Sequence, residues 1–167
     1  MRERVLLILT LIIAVCFGAY LYTPKRIPLR RAECQANDQD QYVFSPERLI
    51  ELSPCIRVAG TVKSVAPGVE DGDGFIDLAV DPPYTYTTNW MNNVNTHGFL
   101  HMETICYVTP RPDEKAPSET CARDPDPYRG ELPEEGQQIW AEGRWVLDIA
   151  HGGHAELHPL YRWGVLK

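Results

Sequence analysis

The chain has 167 residues, 44% hydrophobic and 23% charged, with 14 Pro and 12 Gly; that length holds one domain with its own core, and the composition excludes a wholly disordered chain. The formal net charge of −7 understates the acidity of the stretch from Ala32 onward, where 22 Asp/Glu face 10 Lys/Arg, a balance of −12. A surface of that sign repels phosphate backbones, so nucleic acid is not an expected partner.

The N-terminus reads as a membrane segment. Val5 to Tyr22 carries no charge, is close to the length a helix needs to cross the hydrocarbon core, and is longer than a signal-peptide apolar region. The cleavage candidates around Cys16-Phe17-Gly18 fit the small-x-small pattern poorly, and the residues before Cys16 do not make a lipobox, so an uncleaved anchor is expected. Lys25, Arg26, Arg30 and Arg31 follow the segment and Arg2 and Arg4 precede it, which by the positive-inside rule places the domain in the cytoplasm. Cysteine usage points the other way. Cys34, Cys55, Cys106 and Cys121 form an even set with no C-x-x-C pair and no metal-finger spacing, which suits two disulfides in an oxidising compartment. The extracytoplasmic side is preferred, with the basic residues beside the helix resting on anionic headgroups. Of the three connectivities, Cys34–Cys55 with Cys106–Cys121 closes the shortest loops.

The expected division is a transmembrane anchor over 1–23, a linker over 24–41 and a β domain over 42–167. The linker is polar, contains Pro24 and Pro28, and has no apolar periodicity. Ser45-Pro46-Glu47-Arg48-Leu49-Ile50-Glu51-Leu52 has a capping serine, proline at the first helical position and an early acid, and predicts a short helix ended by Ser53-Pro54. From Cys55 to Val65 apolar and polar residues alternate, as in a strand buried on one face, with Gly60 at a bend. Asp71-Gly72-Asp73-Gly74 then predicts a hairpin turn into a second strand, Gly74 to Val80. Those aspartates also invite a calcium loop, but placing Gly74 at position six puts Val69 at position one and leaves no glutamate at twelve, so a solvated turn is expected.

Asp81 to Gly98 reads as irregular and is rich in aromatics and amides; its rings either stack on a ligand or cover one end of a barrel. A third strand is predicted over Phe99 to Val108, and a Pro-rich acidic loop runs from Thr109 to Gly136, tethered by Cys121. Two more strands follow, one ending at Asp148 and one from Ala155 to Trp163. One helix and five strands, with glycines at Gly60 and Gly143 where strands coil, predict a mainly β fold: a small five-stranded barrel of the oligonucleotide/oligosaccharide-binding (OB) type, with a β-sandwich as the alternative.

The closing residues carry a resemblance. Gly60-x-Val62, Gly143-x-Trp145-Val146-Leu147-Asp148, His151-Gly152 and Glu156-Leu157-His158-Pro159 resemble a group of OB-like extracytoplasmic bacterial proteins whose last strands read G-x-W/Y-V-x-D-x-x-H-G-W-x-E-I-H-P. The likeness spans about Cys55 to Trp163 and is most specific in its last twenty residues; it implies a fold and a candidate site but no reaction. The tryptophan after His-Gly is Gly153 here, and an extra residue precedes Glu156.

Three of the five histidines, His151, His154 and His158, fall within this stretch. Residues two apart on a strand share a face, so Glu156 and His158 project together, as do His101 and Glu103. In an OB barrel, strand order 1-2-3-5-4 sets the third strand beside the fifth and gathers two imidazoles with two carboxylates, Asp148 and His151 entering from the preceding turn. His151, Glu156, His158, His101 and Glu103 are therefore candidate ligands for a divalent metal such as zinc. The competing reading is structural: hydrogen-bonded polar groups locking the last strand, with Asp148 capping the Gly152-Gly153 turn. His154 lies in the inserted part of the motif and is not expected to take part. Two functions remain open, a membrane-anchored binding or assembly module for a protein, peptide or glycan, and a metal-dependent hydrolase in which His151, Glu156 and His158 hold the ion. No Ser-His-Asp order, phosphate-binding glycine loop or redox pair strengthens the enzyme, so binding is preferred.

Overall fold

The chain divides into two units, Met1–Arg30 and Arg31–Lys167. A computed structural model describes Cys34 and residues 40–68, 72–108 and 131–167, all within the second unit. The expected membrane segment, most of the linker and most of the Pro-rich loop lie outside the described residues, among which no helix is long and apolar enough to cross a membrane.

Five strands, β1 (Leu49–Pro67), β2 (Gly74–Val80), β3 (Leu100–Thr104), β4 (Gln138–Asp148) and β5 (His154–Val165), close into a barrel in the order β1-β2-β3-β5-β4. Every neighbouring pair is antiparallel except β3 and β5. The period-two pattern supplies the interior: Val58, Val62, Ile76, Leu78, Leu100, Met102, Ile139, Ala141, Leu157 and Leu160 are all 0–1% exposed and form one core. Burying such side chains contributes roughly 1.5–3 kcal/mol each before the entropy of ordering them. β1 is long enough to pair with β4 along one stretch and with β2 along the other, and register shifts interrupt it at Glu51/Ser53, Ser53/Ile56 and Val62/Ser64. Gly60 sits where this strand runs against β2; a Cβ there would come within 2.2 Å of the Ala79 carbonyl oxygen.

The helix predicted over Ser45 to Leu52 does not form. A single 3-10 turn, Pro46–Arg48, occupies its start, Ser45 adopts a left-handed conformation (φ 48°) without a capping hydrogen bond, and β1 begins at Leu49. Pairing decides the outcome. Leu49, Ile50 and Glu51 take Asp148, Leu147 and Val146 as partners on β4, and the Arg48 guanidinium forms an ion pair with the fully buried Asp148. Ser53-Pro54 consequently lies inside a strand, at a bulge where a proline without an N–H is tolerated.

The short α-helix of the fold is instead α1 (Trp90–Asn95), inside the stretch expected to be irregular, following a 3-10 segment at Pro82–Thr87. Its start is a capping box made by two asparagines: the Asn89 side chain accepts from the Met91 and Asn92 amides, and Asn92 Oδ1 accepts from the Asn89 amide at 2.9 Å. The aromatics of this region divide. Tyr84 is buried against the core, whereas Tyr86 and Trp90 are 60% and 72% exposed. The third strand is shorter than expected, ending at Thr104 before Cys106 turns with a positive φ of 55°.

Cys34 and Cys55 form a disulfide, their Cα atoms 5.6 Å apart. Cys106 is also disulfide-bonded, while Cys121, its expected partner, lies outside the described residues.

Candidate functional site

The parallel seam of the barrel pairs His101 with Glu156 and Met102 with Leu157. Met102 and Leu157 enter the core, so alternation sends His101, Glu103, Glu156 and His158 to the opposite face. There they form a continuous imidazole–carboxylate chain. Asp77 on β2 receives a hydrogen bond from Ser64 at 2.6 Å and lies 2.8 Å from His101 Nδ1; His101 Nε2 lies 3.2 Å from Glu103 Oε1; Glu103 Oε2 lies 2.7 Å from His158 Nδ1. His158 Nδ1 also lies 3.0 Å from Glu156 Oε1, and Glu156 Oε2 lies 3.0 Å from His154 Nε2. The chain ends at Asn95 on α1, whose amide nitrogen is 3.2 Å from His154 Nδ1.

The electrostatics follow from this geometry. Burial alone would neutralise His158, but the Glu103 charge and hydrogen bond, with the Glu156 hydrogen bond and charge, override it and push the pKa up to about 10. Burial opposes the charge on His101 too, and the hydrogen bonds to Asp77 and Glu103 with their charges raise it to about 10. The carboxylates respond in the opposite sense. Burial works against ionisation of Glu103, yet the His158 charge and the two imidazole hydrogen bonds hold its pKa well below the ordinary range. For Glu156, burial is likewise outweighed, by hydrogen bonds from His154 and His158 and by the His158 charge, and the pKa falls to about 2. Both imidazoles are therefore cationic and both glutamates anionic around neutrality.

The turn before β5 is a second, adjoining assembly. Asp148 Oδ1 accepts the amides of Ala150 and His151 at 2.8 and 3.2 Å, and Oδ2 lies 2.6 Å from His151 Nδ1. Gly152 and Gly153 both have positive φ, 76° and 83°, where a side chain would be strained, and the Gly153 amide closes back on the Asp148 carbonyl at 2.7 Å. Asn92 clamps the start of β5 to α1: fully buried, it donates to the Ala155 and Phe99 carbonyls at 2.8 and 3.0 Å and accepts the Ala155 amide at 3.1 Å.

Beside the chain lies a cavity of about 770 Å³, with Phe75, His101, Glu103, Asn95, His151 and His154 among its walls. Phe75 and His101 stand with ring centroids 5.5 Å apart, His101 and His154 at 5.8 Å, edge on.

Four of the five residues singled out as ligands, His101, Glu103, Glu156 and His158, come together as one cluster. His151 does not join them: its side chain is 62% exposed and bound to Asp148. Among the described residues, two sets of donor atoms lie within 4.8 Å of one another, Asp73 with Glu103 and His158, and His101 with Glu103 and Glu156, and His151 belongs to neither. His154, expected to stand aside, is 5% exposed and bonded to Glu156, so the residue inserted into the motif supplies a link of the chain. Asp73, expected in a solvated turn, is 5% exposed, with Oδ1 accepting the Cys106 amide at 3.1 Å and Oδ2 3.9 Å from His158 Nε2. Asp77 and Asn92 were missed for want of a signal: Asp77 needs the register of β2 on β3, and only the Asn-x-x-Asn capping pattern could have marked Asn92. No protein-family model, curated protein or solved structure matches the chain.

Proposed function

We propose that the chain is a membrane-anchored extracytoplasmic binding module built on an OB-like barrel, and that it takes a peptide or glycan partner in the cavity beside the imidazole–carboxylate chain. The observation that carries this reading is the pairing of that wall. His101 and His158 are held cationic, with pKa values raised to about 10, whereas a general base needs a pKa near the working pH. Locked charges and rings of this kind suit recognition: carboxylates and amides for N–H and O–H donors of a partner, Phe75 and the imidazole faces for its apolar surface. The OB-like assignment is supported by the strand order β1-β2-β3-β5-β4 and by the likeness of the closing residues. The extracytoplasmic side is supported by the Cys34–Cys55 disulfide, and the anchor by the uncharged run from Val5 to Tyr22.

Full-length protein in detergent micelles, screened against arrays of oligosaccharides and of acidic, basic and neutral peptides, tests the reading. Binding should concentrate in one ligand class and weaken at least about tenfold in Phe75→Ala and His151→Ala, a loss of about 1.4 kcal/mol, with circular dichroism unchanged. Failure to bind any member of the arrays, or binding indifferent to both substitutions, would overturn it.

A further inference from the structure

Within the buried chain two polar atoms make no hydrogen bond: Glu103 Oε2, which has its ion pair with His158 Nδ1 at 2.7 Å, and His158 Nε2, on a residue 0% exposed. His158 Nε2 faces Asp73 Oδ2 across 3.9 Å, too far for a hydrogen bond, and a buried unsatisfied imidazole nitrogen costs about 1–3 kcal/mol. We infer that Asp73, Glu103 and His158 form a binding site for one divalent transition-metal ion, with zinc as the reference metal, placed between His158 Nε2 and Asp73 Oδ2.

Three observations converge on this set. The donor atoms of the three residues already lie within 4.8 Å of one another. Two zinc ligands at about 2.1 Å and a tetrahedral angle stand roughly 3.4 Å apart, so the 3.9 Å gap needs a contraction of about half an ångström. One imidazole with two carboxylates is a borderline N/O donor set of the kind zinc and its neighbours take. Next, the other ring nitrogen is already committed: Nδ1 sits 3.0 Å from Glu156 Oε1, hydrogen-bonded, and 2.7 Å from Glu103 Oε2. Glu156 thus supplies the carboxylate–histidine contact that fixes a ligating imidazole with Nε2 toward the metal, while Glu103 must turn from Nδ1 to reach the ion. The third observation is charge. Four carboxylates, of Asp73, Asp77, Glu103 and Glu156, crowd His101 and His158, with the Arg48 guanidinium 4.0 Å from Glu103 Oε2, and ligation through a neutral His158 Nε2 brings a dication into this carboxylate-rich cluster. The second set, His101 with Glu103 and Glu156, is the weaker alternative, since both ring nitrogens of His101 are taken, by Asp77 and by Glu103. Asp73 and Glu103 also line the cavity, so an ion held there would face it.

The site differs from the ligand set read from the sequence: Asp73 replaces His151, and Glu156 orients a ligand without being one. Ligation requires His158 neutral at Nε2, so the metal-loaded wall differs in charge from the metal-free wall of the binding module proposed above; metal uptake itself needs no partner, and the two readings fail separately. The test loads the full-length protein in detergent micelles, stripped with chelator, with zinc and separately with cobalt(II), followed by metal analysis and visible absorption. The expected result is one equivalent of zinc per chain and a cobalt spectrum of low-symmetry N/O ligation. Asp73→Asn keeps the acceptor for the Cys106 amide and should lower affinity at least tenfold; Glu156→Gln should weaken it about 10–100-fold through the lost orientation of His158. His97→Ala, which removes an exposed surface histidine, should change nothing. Absence of stoichiometric metal in the unsubstituted protein, or uptake unaltered by Asp73→Asn, would overturn the inference, as would loss on His97→Ala alone.

Discussion

Replacing Glu156 by glutamine asks whether charge, beyond shape, holds the closing strand. The carboxylate is 1% exposed and gives one oxygen to each of two imidazoles, Oε1 to His158 and Oε2 to His154, both at 3.0 Å. Burial favours its neutral form, but the hydrogen bonds from His154 and His158 and the His158 charge prevail, so the pKa falls from 4.5 to about 2. That difference is worth about 3 kcal/mol to the folded state at neutral pH. Because the folded-state pKa is the depressed one, the stabilisation is complete above 4.5 and is lost as the pH falls through about 2. Glutamine keeps the volume and one acceptor oxygen, carries no charge, and turns an amide NH₂ toward an imidazole that also donates. Urea unfolding of metal-free protein should show Glu156→Gln less stable by about 3 kcal/mol near pH 7, with the gap shrinking to about half by about pH 3 as the carboxylate of the unfolded chain takes up its proton while the folded one stays ionised. A gap that stays constant across that range would assign the cost to packing and refute the electrostatic account.

On the alkaline side the sign reverses: His101 and His158 have raised pKa values of about 10 against 6.5, so their contribution is complete below 6.5 and drains as pH rises toward 10. Urea midpoints of metal-free protein should therefore fall by more than about 2 kcal/mol equivalent between about pH 6.5 and about pH 9, and a flat profile there would contradict it. Asn92→Ala strands the Ala155 amide and carbonyl in the interior, while the Phe99 carbonyl keeps the Thr96 hydroxyl at 2.6 Å, and should cost about 3 kcal/mol in the same assay, with early amide exchange at Ala155; a cost under about 1 kcal/mol would show that water replaces the amide. Cys55→Ser opens a loop of sequence separation 21 and should destabilise by about 3 kcal/mol, measured as the difference between oxidised wild type and variant.

The barrel was largely legible because β2 and β3 alternate cleanly and β4 does so in part, and an apolar residue every second position leaves few registers that bury it. The same alternation, with the third strand placed beside the fifth, leads to His101 and Glu103 against Glu156 and His158, which is the observed juxtaposition. What stayed hidden depends on partners distant in sequence. Ser45-Pro46-Glu47 carries helix-start chemistry, yet local propensity is outweighed by the pairing of Leu49–Glu51 with β4 and by the Arg48–Asp148 ion pair. Asn92 looked like one amide in a polar run, and its role depends on the unpaired Ala155 backbone beside it. Asp73 sits in a sequence that favours a hydrated turn; its burial follows from the fold of Cys106 against it. His154 was set aside because an insertion shifts the motif, but the insertion lengthens the turn enough to begin β5 with that histidine.

The contact between β3 and β5 is the shortest pairing of the barrel, two residue pairs, and it is parallel. Where a longer strand would continue, Asn92 offers its amide to the Ala155 backbone and acts as a one-residue extension of the sheet. The wall is thus zipped by few backbone bonds where its ionic cluster is densest, and side chains carry much of its closure. Parting the seam would separate His101 and Glu103 from Glu156 and His158 at one stroke, so the barrel's shortest backbone pairing and its densest ionic cluster coincide. Anything that bridges those four side chains, whether a proton, an ion or a partner, acts as a clasp on the whole fold.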